Sequence, residues 1–501
     1  MKKLILITLS ITLFILVGCT NNNMEYEVVN QDNMTIYTKQ ENGNIGDVMP
    51  FYHDGKWHFF YLHDSAPNPG FHPWYHLSTT NFTTFTDHEE VIPVIHNLES
   101  QELALGTGSV IEKDGKFYAF YTAHNSRLVP KEMFMLSTST DLNNWEKQSL
   151  VIDPRTYGFD LYDFRDPHVV YVEEKSQYYM LFTTRHMGRG AVGYLVSDDL
   201  ETWTKQSDGI FFLNNLDTGT GAIDSNLECP TLWYFNGYWY MTFSDQWPTR
   251  QTHYIYKQNF DDPWIKPQMN TFDSSGLYAG KVAASDTKMV LGGWVSHDFS
   301  RPNEFGWGGN FIAHELKQNI NGTLYVEMVS EIKETISHPQ LLQIEDQTIT
   351  DISTKRIAFS KNNDYQRVTF NELDGISIIE GYLDIKNIDG YFGIFFDYRD
   401  GEASYHYDFN LKNKSISFYK NDYTQRSPQN LFTQNDFLNT SNHLKFTLLF
   451  EEAIDADGSI VTLYIDNQLA HTARMFRIGK TNFGFYSLNS DVVITDLKKY
   501  K

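Results

Sequence analysis

The sequence predicts an all-β protein, a five-bladed β-propeller followed by a C-terminal antiparallel β-sandwich. Three observations lead there. A hairpin motif recurs about every 60 residues between Asp54 and Trp294. A polar turn closing on an aromatic residue lies between copies. Beyond Pro339 the chain changes to alternating apolar and polar residues.

At the amino end, Lys2 and Lys3 precede an apolar run from Leu4 to Val17, followed by Gly18-Cys19. A membrane-spanning helix needs about 20 apolar residues, so this shorter run suits the core of a signal peptide. Leu16-Val17-Gly18-Cys19 looks like a bacterial lipobox, which implies that Cys19 is lipidated and becomes the mature N-terminus. Residues 1–19 are thus expected to be a lipoprotein signal peptide and 20–37 a tether. The protein would be extracytoplasmic and held to the membrane only through the lipid at Cys19.

The propeller is expected over residues 38–335. Asp54-Gly55-Lys56-Trp57-His58-Phe59-Phe60-Tyr61 returns as Asp114-Gly115-Lys116-Phe117-Tyr118-Ala119-Phe120-Tyr121. Weaker copies run over Lys175–Phe182, Asn236–Phe243 and Thr287–Trp294. Each reads as an apolar strand, a turn and an aromatic strand, and Asp-Gly or Asn-Gly at the turn suits a type I′ hairpin. Ser78–Phe85, Ser137–Trp145 and Ser197–Trp203 read as the outer strand end and turn of each unit. A four-stranded unit repeated five times is the signature of propeller blades.

Leu341–Ser353 reads as a connecting strand or linker. From Arg356 onward, period-2 segments such as Tyr405–Leu411, Leu444–Phe450 and Ile460–Ile465 are separated by Asp-Gly turns. Residues 345–501 are expected to form the sandwich.

At the start of successive first strands stand Asp47, Thr107, Asp166 and Glu228, again about 60 residues apart. Equivalent positions in successive blades surround one axis, which the innermost strands line. Asp47, Asp166 and Glu228 would then point into a single funnel. Like charges crowd together only where some are protonated or paired, and Arg165 supplies a compensating charge. Glycoside hydrolysis needs such a set: one acid protonates the leaving oxygen and one carboxylate attacks or activates water. The same oxygens would also suit a channel stabilised by calcium.

Composition narrows the partners. There are 40 Lys and Arg against 63 Asp and Glu, a net charge of −23. With no basic patch, nucleic acid is not an expected partner, and a sulfated glycan is disfavoured. Neutral sugars remain open. Cys19 and Cys229 are too few and too far apart for a disulfide framework or a zinc site.

These residues resemble glycoside hydrolase family 32, the invertase, levanase and inulinase group. Its nucleophile block corresponds to Asn44–Pro50, its Arg-Asp-Pro block to Arg165-Asp166-Pro167, and its Glu-Cys block to Glu228-Cys229-Pro230. Gly276-Leu277-Tyr278-Ala279, Gly292-Gly293-Trp294 and Trp307-Gly308-Gly309 resemble later segments of the family. The resemblance implies that Asp47 is the nucleophile, Glu228 the general acid/base, and Asp166, oriented by Arg165, a holder of fructose hydroxyls. It implies retention of configuration, with the Asp47 and Glu228 carboxyls about 5–5.5 Å apart. The substrate would be a fructose-containing oligo- or polysaccharide. Trp74 and His76, in a Trp-x-His arrangement, resemble a sugar-contact segment, and Thr107 and Ser109 resemble the second-blade contact. One departure stands out. The family usually shows Trp-Met-Asn-Asp-Pro-Asn-Gly around the nucleophile, whereas here the stretch is Gly43-Asn44-Ile45-Gly46-Asp47-Val48-Met49.

Two other readings fit parts of the pattern. A five-bladed arabinanase or xylosidase also gathers three carboxylates, but inverts. A non-catalytic surface lipoprotein could use the sandwich and the anchor to capture glycans.

Overall fold

A computed structural model describes residues 34–40, 43–65, 70–297, 306–353, 355–387, 389–399, 404–421, 429–435, 442–453, 457–466 and 468–501. The predicted signal peptide, Cys19 and the tether up to residue 33 lie outside these residues. The chain is all-β: among the described residues, α-helix is confined to Pro154–Tyr157 and Ser330–Thr335.

Five antiparallel units follow one another. Their first strands are β1 (Asn44–His53), β2 (Ala104–Lys113), β3 (Arg165–Val172), β4 (Glu228–Phe235) and β5 (Leu277–Ala284). Each pairs with the strand that follows it through a short connection. At three of these turns both central residues have positive φ: Asp54-Gly55, Asp114-Gly115 and Asn236-Gly237. That is the type I′ geometry, whose twist matches the flanking strands. Units one, two, three and five complete four strands. Unit four has three, and bridges from His253 to Thr271 and from Tyr256 to Ile265 extend its outer edge.

Second strands such as Lys56–Asp64 and Tyr238–Ser244 are buried on both faces, because each unit packs against the next. Phe60 and Trp74 of unit one share a cluster with Tyr121 of unit two. Phe120 of unit two shares one with Met180 of unit three, and Leu181 of unit three shares one with Trp239 of unit four. The last unit returns to the first: Ile45 of β1 pairs with Gly309, and the Phe311 amide donates to the Thr38 carbonyl at 2.8 Å.

Beyond residue 338 the strands form two further antiparallel sheets of eight and seven strands. Their inner rings meet, as in Phe359 with Phe392 and Phe446 with Phe485. Within Leu341–Ser353, read from sequence as a connecting strand or linker, Ile344–Gln347 is a strand of the seven-stranded sheet, and Pro339–Gln340 just ahead of it joins the eight-stranded one. A buried polar seam joins the two halves. Asp273 accepts from His314 at 2.8 Å and from the Thr472 amide at 2.7 Å, and Tyr464 contacts His314 at 3.1 Å. Arg474, 1% exposed, donates to the carbonyls of Ser296 and Gly458 and to Asn310.

Candidate active site

Each of β1 to β5 carries one extra residue near its start relative to its partner strand. Such bulges locally break pairing and re-aim side chains, and they recur beside active sites. The last paired residues before the bulge are Gly46, Leu105, Arg165, Glu228 and Tyr278. Asp47 and Asp166 come one residue later, in register with Gly106, Cys229 and Ala279. Thr107 is one later again. The four positions that looked equivalent in sequence are therefore offset: Glu228 matches Arg165, not Asp166. Hydrogen-bond register, not distance from a turn, decides which residues correspond.

The offset interleaves acids with their partners around a cavity of about 290 Å³ that Asp47, Thr107, Arg165, Asp166, Glu228 and Cys229 all help to line. Asp47 accepts from the Thr107 hydroxyl at 2.7 Å and from the Trp294 indole at 3.0 Å. Asp166 accepts from the Thr183 hydroxyl at 2.9 Å and from the Cys229 amide at 3.0 Å. Glu228 accepts from Arg165 at 2.7 Å and Gln246 at 3.0 Å on one oxygen, and from the Tyr278 hydroxyl at 2.5 Å on the other. Arg165 also donates to Asp163 at 2.7 Å. Asp166 and Cys229 hold positive φ, 62° and 52°, so the bulge itself aims the Cys229 amide at Asp166.

Residues 42–322 match the N-terminal domain of the glycosyl hydrolases family 32, more than half of the chain. The chain belongs to glycoside hydrolase family 32. It is similar to a sucrose-6-phosphate hydrolase of Vibrio alginolyticus, 27% identical over 236 residues, which are 45% of each chain. It is also similar to a levanbiose-producing levanase of Bacillus subtilis (strain 168), 29% identical over 31% of this chain and 30% of that one. The chain thus matches less than half the length of these curated relatives. The fold extends further: the exo-inulinase of Aspergillus awamori superposes with a TM-score of 0.69 over 94% of this chain and 98% of that one, at 15% identity.

The electrostatics of this family 32 cavity follow from burial. Burial pushes the Asp47 carboxyl up and Asp166 adds to it, while the hydrogen bonds from Thr107 and Trp294 pull back. Burial also raises Glu228, with Arg165 opposing and Asp166 reinforcing. Burial works against the Arg165 charge, yet Glu228, Asp166, Glu132 and Asp163 together hold it well above its ordinary value. Burial, with Asp166 and Asp47 nearby, keeps the Cys229 thiol protonated, 3.9 Å from Asp47. Among the described residues, no group of three His, Cys, Asp or Glu side chains is placed to hold a metal ion.

Three residues expected to contact sugar lie elsewhere. Trp74 is 0% exposed, donates to the Gly106 carbonyl at 3.0 Å and fills the core between units one and two. His76 is buried against Phe60 and His88 and bonded to His58 at 2.9 Å. Ser109 accepts from the Val169 amide at 2.9 Å, tying unit two to unit three. Apolar alternation around Trp74 and His76 is equally the pattern of a strand between two blades, and packing took it. Conversely, Gln246 and the Tyr278 hydroxyl reach Glu228 without having been given a role, although Tyr278 stands in the family-like segment Gly276–Ala279. Tyr278 was findable, since it starts the fifth first strand; Gln246 follows a strand end and carries no pattern.

Proposed function

We propose that this protein is a retaining β-fructosidase acting on sucrose, levan, inulin or fructooligosaccharides. The observation that carries the reading is the unequal environment of Asp47 and Glu228 in one cavity. Glu228, raised by burial, gives its proton to the leaving oxygen as Asp47 attacks the anomeric carbon of the fructosyl unit. The glycosidic bond breaks and a fructosyl ester on Asp47 forms. Glu228 then takes a proton from water, which attacks the same carbon and frees Asp47. Asp166, fixed by Thr183 and the Cys229 amide, holds fructose hydroxyls. The names of the similar proteins, a sucrose-6-phosphate hydrolase, a levanase and an exo-inulinase, support the fructosyl class.

Five successive antiparallel units packed in order, with the last paired to the first, support five propeller blades over residues 38–335. Two face-contacting sheets support a sandwich over 345–501. The lipobox supports an extracytoplasmic protein anchored at Cys19. Product analysis on sucrose, levan and inulin, with the anomer followed by NMR, tests the chemistry: net inversion or no fructose release rejects it. Fatty-acid labelling that survives Cys19→Ser rejects the anchor.

A further inference from the structure

The departure at the nucleophile block has a physical counterpart across the cavity. A Cβ placed on Gly46 would lie 2.2 Å from the indole of Trp307. Gly46 does not have the positive φ that would itself require glycine, so space is the reason for the missing side chain. The ring that fills this space arrives just ahead of the strand Gly309–Gln318. Its position is fixed on two sides. It stacks on His72 at 4.1 Å with planes 16° apart, and it faces Trp294 at 6.0 Å. Trp294 is the residue whose indole N–H holds Asp47. Trp307 is only half-buried, and it lines the cavity together with Leu62 and Leu105. Arg165 and Gln246 belong to the polar part of the same lining.

A furanose or pyranose has this same two-sidedness, an apolar C–H face and a polar hydroxyl edge. Aromatic rings recognise the first, and charged hydrogen-bonding groups the second. We infer that Trp307 is the stacking platform for the sugar bound against Asp47, and that Gly46 exists to admit it. The specificity that the usual nucleophile block builds from its own side chains is supplied here by a ring from the fifth unit. The inference rests on the fructosidase reading only for the identity of the sugar.

The test compares wild type with Trp307→Ala, Trp307→Phe and Gly46→Ala, with folding checked by thermal melts. Removing a contact made equally in ground and transition states raises KM and leaves kcat nearly alone. Trp307→Ala is expected to raise KM for sucrose or inulin about 10- to 100-fold. Gly46→Ala, which keeps the ring but displaces it, is expected to follow, and Trp307→Phe to stay within a few-fold of wild type. Calorimetric titration of an inulin-type trisaccharide into the Glu228→Gln background and into Glu228→Gln/Trp307→Ala should show the same ratio in Kd. Unchanged KM in folded Trp307→Ala overturns the platform and leaves the fructosidase reading intact. Binding without turnover in wild type rejects that reading, and the Kd ratio still judges the platform. No binding at all rejects both.

Discussion

At the scale of single residues, three acids share one cavity but not one environment. Glu228 is held by Arg165, Gln246 and Tyr278, and Gln keeps its size and one acceptor oxygen but has no acidic proton to give, while the Tyr278 hydroxyl can turn to accept from the new amide. Glu228→Gln should lower kcat on fructosides about 10²- to 10⁴-fold with the melting curve little changed, as steady-state kinetics and calorimetry will read. The proposed mechanism needs Asp47 ionised and Glu228 protonated, so it expects a bell-shaped pH–rate profile. Both groups are raised, which moves both limbs above the range of about 3.9–4.3 where free carboxyls titrate. The same shifts bear on stability. A carboxyl raised on folding contributes stability at pH below its unfolded value and loses that contribution as pH rises through the folded value. Asp47→Asn should therefore melt higher than wild type near neutral pH, and the gain should vanish on acidification. Asp47, Asp166 and Glu228 were legible because an acid repeated at one place in a motif is conspicuous. Their partners were not: Thr183, Gln246 and Trp294 come from second strands or just beyond them, where apolar burial hides any chemical pattern.

At the scale of elements, the hairpins could be read from the sequence and their bulges could not. Asp-Gly and Asn-Gly announce a turn because few other pairs take positive φ twice. An extra residue in a strand leaves no such mark, since it depends on the partner strand's length. That is why Thr107 and Glu228 were assigned one position away from their true register. Trp74 shows the same ambiguity in packing. Its indole fills a dry core, so Trp74→Ala should cost about 3–5 kcal/mol of stability. The KM of the enzyme that still folds should not change, and a denaturant melt alongside kinetics separates this packing role from a sugar contact.

At the scale of the whole molecule, the two halves read as separate domains in sequence yet share one buried cluster and the seam of Asp273, His314 and Arg474. Arg474 sits in the second half and satisfies carbonyls of the first, so neither half is complete without the other. Calorimetry should show one unfolding transition, not two. Arg474→Ala should strip donors from buried acceptors, cost about 1–3 kcal/mol for each acceptor left unsatisfied, and depress fructoside turnover at high temperature, although Arg474 does not line the cavity. The seam itself was hidden in the sequence: His314 stands in the His314-Glu315-Leu316 stretch that resembles the family's propeller-closing segment, but nothing there points to Asp273 or Arg474, which lie far off along the chain.

The pairing of Ile45 with Gly309 has a consequence for how the protein is born. The strand that carries Asp47 emerges early from the ribosome, but its neighbour in the last unit is among the final pieces of that half to appear. Until then the strand beside β1 is missing, although Trp294 has already been made, and β1 presents an open edge. A nascent chain stopped before Gly309 would already contain every acid of the cavity and be unable to use any of them. Such a chain would also be exposed to proteases and to self-association through that edge.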